Sequence, residues 1–197
     1  MNEVWQVFSS LIDERLSSGA FTTEDSVRYT FFLALLKAGF CDHTDILLEM
    51  PHPTIQKAEV DLFIRPIGNR PATAFEFKFD RPIPCGKNAP RTQKAGAVFK
   101  DLLRLARVPR SVAPQRFFIY LAANEMTDYF RNPQNRLRSF FELPEGEVYP
   151  ITPEFVQGQA ATFQSVVHEW VTPCHIMGVH RYNLSHGFAL RIFQVLD

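Results

Sequence analysis

Residues 74–80 read Ala-Phe-Glu-Phe-Lys-Phe-Asp. Alternation at period two puts Phe75, Phe77 and Phe79 on one face and Glu76, Lys78 and Asp80 on the other. A helix would scatter both sets around its circumference, so this segment is constrained to be a strand with one face in a core. Glu59 to Ile64 alternates as well, with Val60, Leu62 and Ile64 opposite Glu59, Asp61 and Phe63. Ile46 to Met50 is a short apolar run ended by Pro51 and Pro53. These read as three consecutive strands. The connection at 65–72 holds Gly68-Asn69-Arg70-Pro71, the chemistry of a hairpin turn.

Helices flank these strands. Val4, Phe8, Leu11 and Ile12 share one face of a helix over 3–17, which Ser17-Ser18-Gly19 interrupts. A second helix starts at Thr22-Thr23-Glu24-Asp25, where Thr22 and Asp25 suggest a capping box, and runs to Gly39. Residues 81–91, with three prolines and a glycine, are a loop; 92–108 is a helix; Phe117 to Ala123 has the length of a strand. Beyond it, 142–147 reads as loop, 153–170 as helix, and 175–183 and 188–196 as strands. With 197 residues and no repeat or linker, the expectation is one domain of layered α/β type, in the order α-α-β-β-β-α-β followed by mixed elements.

An apolar fraction of 46% excludes wholesale disorder, and no apolar run reaches the roughly 20 residues of a membrane span. The first residues lack the features of a signal peptide. Cys41, Cys85 and Cys174 are scattered without a CxxC, which fits a reducing cytosol, so the expected location is cytoplasmic. The formal charge is zero, yet it is uneven: residues 1–64 carry −6, 65–116 carry +9 and 117–197 carry −3. A polyanion meets local charge, because distant charge is screened beyond about 8–10 Å. Neutrality therefore does not exclude a nucleic-acid partner.

The chemistry gathers at two strands. Glu76 and Lys78 share a sheet face, and an adjacent antiparallel strand can set Asp61 beside Glu76 at about 4.5–5.5 Å between Cβ atoms. Two carboxylates that close repel unless a proton or cation separates them. Hard oxygen ligands suit Mg²⁺, with Mn²⁺ as a substitute. Solvated charged strands carry the same tripeptide, so Glu-x-Lys alone does not choose between the readings. Glu24 falls within the apolar arc of its helix, and either pairs with Arg28 one turn on or faces a site. On the 92–108 helix, Lys100, Arg104 and Arg107 lie within about 40° of Gln93, opposite an apolar face. Such a stripe suits phosphate contact, and a solvated face looks the same. His168, His175, His180, His186 and Cys174 match no standard zinc spacing. Phe130, Phe140 and Phe141 are candidates for a dimer contact or base stacking.

An acid in the helix before the sheet, Asp61 on the second strand, Glu76-Phe77-Lys78 on the third and a polar-basic helix before a fourth strand together resemble the PD-(D/E)XK nuclease superfamily, over roughly Thr22 to Ala123. Val60 stands where the motif has proline. The resemblance implies a restriction-endonuclease-like three-layer core, a mixed central sheet flanked by helices. It implies Mg²⁺-dependent hydrolysis of phosphodiester bonds in DNA, in restriction, defence or repair, with RNA as a second substrate class. Asp61 and Glu76 would hold the metal, helped by the Phe77 carbonyl, with Glu49 as a further acid. Lys78 would assist the attacking water, and Glu24 and Gln93 would sit beside the site. Lys87, Arg91, Lys94, Lys100, Arg104 and Arg107 are the candidates for holding nucleic acid. Cutting both strands suggests a homodimer. The alternative is a catalytically inactive nucleic-acid-binding or protein-interaction module of the same fold.

Overall fold

The computed structural model describes residues 1–81, 89–170 and 172–196. Helices α1 (Asn2–Ser17) and α2 (Glu24–Lys37) are followed by strands β1 (Ile46–Pro51), β2 (Glu59–Ile64) and β3 (Thr73–Asp80). Helix α3 (Arg91–Ala106) leads to β4 (Gln115–Ala122), so the expected α-α-β-β-β-α-β order is observed. Then come α4 (Asn124–Arg131), α5 (Arg138–Phe141), β5 (Val148–Ile151), α6 (Pro153–Gln157), α7 (Ala161–Val167), β6 (Cys174–Asn183) and β7 (Ala189–Val195). All seven strands form one mixed sheet in the order β1-β2-β3-β4-β7-β6-β5. β1, β2 and β3 are an antiparallel meander. β4 lies parallel to β3 because α3 carries the chain back across the sheet.

The period-two pattern sorts side chains into two cores. Phe75, Phe77, Phe117, Ile119 and Leu121 pack against α1 and α2. Phe31 of α2 sits among Trp5, Phe8, Phe75 and Phe77, with ring centroids 4.9–5.6 Å away. On the other face Phe118, Tyr120 and Ala122 meet α3 and α7. Each buried phenylalanine contributes about 1.5–3 kcal/mol, so this double layer fixes which way the charged residues of β3 point. They point toward α3.

Three expectations need correction. α2 is capped by Thr23, in a reciprocal box with Ser26, one residue later than Thr22 and Asp25 would place it. The shift makes Glu24 the first helical residue. The expected helix at 153–170 is instead α6 and α7, separated at 158–160, with a short 3₁₀ turn at the end. Phe130, Phe140 and Phe141 are fully buried and stack on one another and on Phe193, so they offer no surface to a partner or base.

Candidate active site

The site is built where two strands part. β2 and β3 pair from Ile64–Thr73 to Leu62–Phe75 and no further, while β3 keeps its pairing with β4 as far as Asp80. Past the fork, the backbone of β3 on that side has no strand partner among the described residues. Carboxylates take its place. Phe77 N–H donates to Asp61 Oδ2 at 2.8 Å, and Phe79 N–H donates to Glu24 Oε2 at 2.9 Å. In a strand the carbonyl of a residue points to the same side as its N–H. The Phe77 carbonyl therefore faces the fork, beside Asp61.

Glu76 and Lys78 project from the face toward α3. Glu76 is 1% exposed and forms an ion pair with Arg104. Lys78 Nζ lies 3.4 Å from Glu24 Oε2 and 3.2 Å from Asp101 Oδ2. Asp101 also reaches Arg104, at 3.7 Å. On the α2 side, the buried Arg28 guanidinium lies 2.6 Å from Asp25, 3.2 Å from Glu49 and 3.9 Å from Asp61. Glu49 lies across from Asp61, between the pairs Leu48–Leu62 and Met50–Val60, and holds φ at +53°. A non-glycine residue there is strained by about 1–2 kcal/mol.

Burial pushes the Asp61 carboxyl up to about 6; the Phe77 N–H bond pulls it back and Glu24 pushes it further. Burial likewise raises Asp80 to about 6, against the opposing pull of Lys78 and of the Tyr120 hydroxyl, which donates to it at 3.2 Å. Asp101 is also raised by burial, with Lys78 opposing. Burial alone would depress the Lys78 ammonium, but Asp101, Glu24 and Asp80 outweigh it, so the amine is held more firmly protonated than in water.

The structure thus brings Asp61 and Glu24 to the β3 backbone, beside Lys78, and links Glu49 to Asp61 through Arg28. Asp61 and Glu76 are not the cross-strand pair expected, because β2 and β3 part before reaching them and Glu76 turns to Arg104. Gln93 lines a pocket with Glu24 and Lys78. The basic stripe divides. Arg104 turns into the site. Lys100 and Arg107 lie over the Trp170 ring, at 5.5 and 5.0 Å from its centroid. Arg91 pairs with Glu125 at 3.6 Å. Lys94, a nucleic-acid candidate outside the stripe, is buried. Its phase, about 100° from Gln93, puts it at the edge of the apolar arc. Lys87 lies outside the described residues. Two site residues escaped the sequence reading. Asp101 lies about 80° from Gln93, between stripe and apolar face, and that phase could have found it. Arg28 appeared only as a partner for Glu24, whereas it holds three other carboxylates.

Asp61, Glu76 and the Phe77 carbonyl are all hard oxygen donors, the set that suits Mg²⁺. Among the described residues no three His, Cys, Asp or Glu side chains are gathered around one point, because Glu76 is turned to Arg104 and Glu24 to Lys78. The carboxylates here outnumber Lys78, Arg28 and Arg104, which leaves an excess that a divalent cation would offset. Comparison with protein-family models, curated proteins and solved structures finds no match for this chain. The assignment of a function therefore rests on the site itself. No helix among the described residues is long and apolar enough to cross a membrane.

Proposed function

We propose that the protein is a Mg²⁺-dependent nuclease of the PD-(D/E)XK type that hydrolyses phosphodiester bonds in DNA, with a restriction-endonuclease-like core. The observation that carries this reading is the fork between β2 and β3. There Asp61 and Glu24 occupy the freed N–H groups of Phe77 and Phe79, with Glu76 and Lys78 alongside. Support also comes from the connectivity, an antiparallel β1-β2-β3 meander joined through α3 to a parallel β4.

In this reading Asp61, Glu76 and the Phe77 carbonyl hold Mg²⁺, with Glu49 reserved behind Arg28. The ion supplies Lewis acidity at the phosphate and lowers the pKa of its water. Lys78 is cationic, so it does not serve as a general base. Its ammonium donates hydrogen bonds to a phosphate oxygen or the attacking water and stabilises the charge that develops there. Glu24 and Asp101 fix its position. Gln93 orients the phosphate from the first turn of α3. The nicking of supercoiled plasmid DNA with Mg²⁺ tests the reading. Lys78→Ala is expected to lower the rate by about 10²–10³ while circular dichroism shows the fold intact. Nicking that survives both Asp61→Ala and Glu76→Ala sinks the proposal.

The Glu76–Arg104 pair favours a second reading, an inactive nucleic-acid-binding or protein-interaction module in which the basic residues neutralise the acids for good. Absence of Mn²⁺ binding in calorimetry, together with absence of cleavage, would select it.

A further inference from the structure

Beside Lys78 lies a pocket of about 480 Å³, between the start of α2, the end of β3 and the first turns of α3. That is the size range of pockets that hold small organic ligands. Lys78, Arg81, Gln93 and Lys94 line it, with Glu24 and Asp80 as the carboxylates that face it. Lys94 is 9% exposed, and among the described residues its ammonium has no hydrogen-bond partner. An ammonium taken from water without hydrogen bonds is costly, and an oxygen-rich anion would remove that cost. Asp80 attracts it at longer range but is itself bonded to Tyr120. Lys78 is already held by Glu24 and Asp101, so an anion in the pocket would meet Lys94 and Arg81, with Asp80 opposing it.

Arg81, which lines the pocket, adds a second, independent feature. Arg81 carries its guanidinium 4.1 Å from the centroid of the Phe21 ring. Phe21 is 67% exposed, the most exposed of the large apolar side chains among the described residues. A ring covered by a guanidinium on one side presents a flat apolar surface of base size on the other. Bases within a duplex are stacked on both faces and cannot reach it, whereas an unpaired base can.

We infer that this pocket takes an unpaired nucleotide of single-stranded DNA, with its phosphate at Lys94 and its base against Phe21. The inference rests on the nuclease reading for the nature of the polymer and narrows its substrate to single strands or frayed ends. Lys78 then lies between the nucleotide's phosphate and the fork that holds Asp61 and Glu76.

Fluorescence anisotropy in EDTA, with a labelled single strand of about 12 nucleotides and a blunt duplex of the same sequence, tests it. The strand is expected to bind about tenfold more tightly than the duplex. Phe21→Ala should weaken strand binding about tenfold and leave duplex binding unchanged, and Phe21→Trp should retain it. Lys94→Gln should weaken binding and lower the salt slope by about 0.7. If Lys94→Gln does not fold, Phe21→Ala, at an exposed position, carries the test alone. Equal binding of strand and duplex, no binding of either, or full binding by Phe21→Ala overturns the inference. Strand preference without any Mg²⁺-dependent cleavage would overturn the nuclease reading and leave the pocket standing. Mg²⁺-dependent cleavage without strand preference would do the reverse.

Discussion

Asp61 has a carboxyl raised to about 6, mainly by burial. In the unfolded chain it would release its proton near pH 4. The native state therefore holds a proton that the unfolded state has lost. The stability this adds is complete below about pH 4 and disappears as pH rises through about 6. Asp80 acts in the same window. Without metal, Asp61→Asn is expected to gain about 1–3 kcal/mol over the parent at about pH 7.5 and almost nothing at about pH 4. The amide oxygen still accepts from Phe77 N–H, so the bond that closes the fork survives. Urea denaturation in EDTA at the two pH values measures the difference. A gain of equal size at both would mean that the charge on Asp61 is not what burial opposes.

At the scale of elements, α3 decides whether the site assembles, because it carries Gln93, Asp101 and Arg104 over β3. It approaches α7 through Gly96. A Cβ there would meet the Val166 Cβ at 3.0 Å and the Phe163 carbonyl oxygen at 3.1 Å. A backbone oxygen cannot swing aside, so Gly96→Ala should destabilise by about 1–3 kcal/mol, although alanine is the better helix former. A raised melting temperature for Gly96→Ala would show that α7 yields instead. The strands of this region were legible because their period is two and phenylalanines 75, 77 and 79 fill the face of β3 that packs against α1 and α2. The start of α2 was displaced by one residue because Thr22 and Thr23 are equally good caps in isolation. α4 and α5 went unread, since eight and four residues give too few turns for a period. Within the site, Asp61, Glu76, Lys78 and Glu24 could be read from strand and helix phase. The phase of Asp101 could have flagged it as a candidate, but neither it nor Arg28 could be joined to particular partners. Their roles depend on the tertiary angle at which α2 and α3 cross the sheet, and no local pattern encodes that angle.

For the whole molecule, net neutrality conceals an internal exchange of charge. The acidic first segment and the basic middle meet at the fork, where Lys78 lies beside Glu24, and within the middle Arg104 holds Glu76. An arginine on a buried carboxylate and a divalent cation on the same carboxylate are competing ways of neutralising it. Removing Arg104 leaves Glu76 buried and unpaired, which costs about 3–5 kcal/mol. Metal-free Arg104→Ala is therefore expected to melt well below the parent. A ligand that binds only the native state stabilises it by RT ln(1 + [L]/Kd), about 2.7 kcal/mol at a hundredfold excess over Kd. With Arg104 gone the cation meets no competitor for Glu76. Mn²⁺ should then raise the melting temperature of Arg104→Ala by more than it raises that of the parent. The double variant Arg104→Ala, Glu76→Gln should recover metal-free stability and lose most of the metal response. Differential scanning fluorimetry across a Mn²⁺ titration, with Ca²⁺ as a second hard cation, provides all four comparisons. Equal metal-induced shifts in the parent and Arg104→Ala would show that Glu76 does not exchange its arginine for the ion.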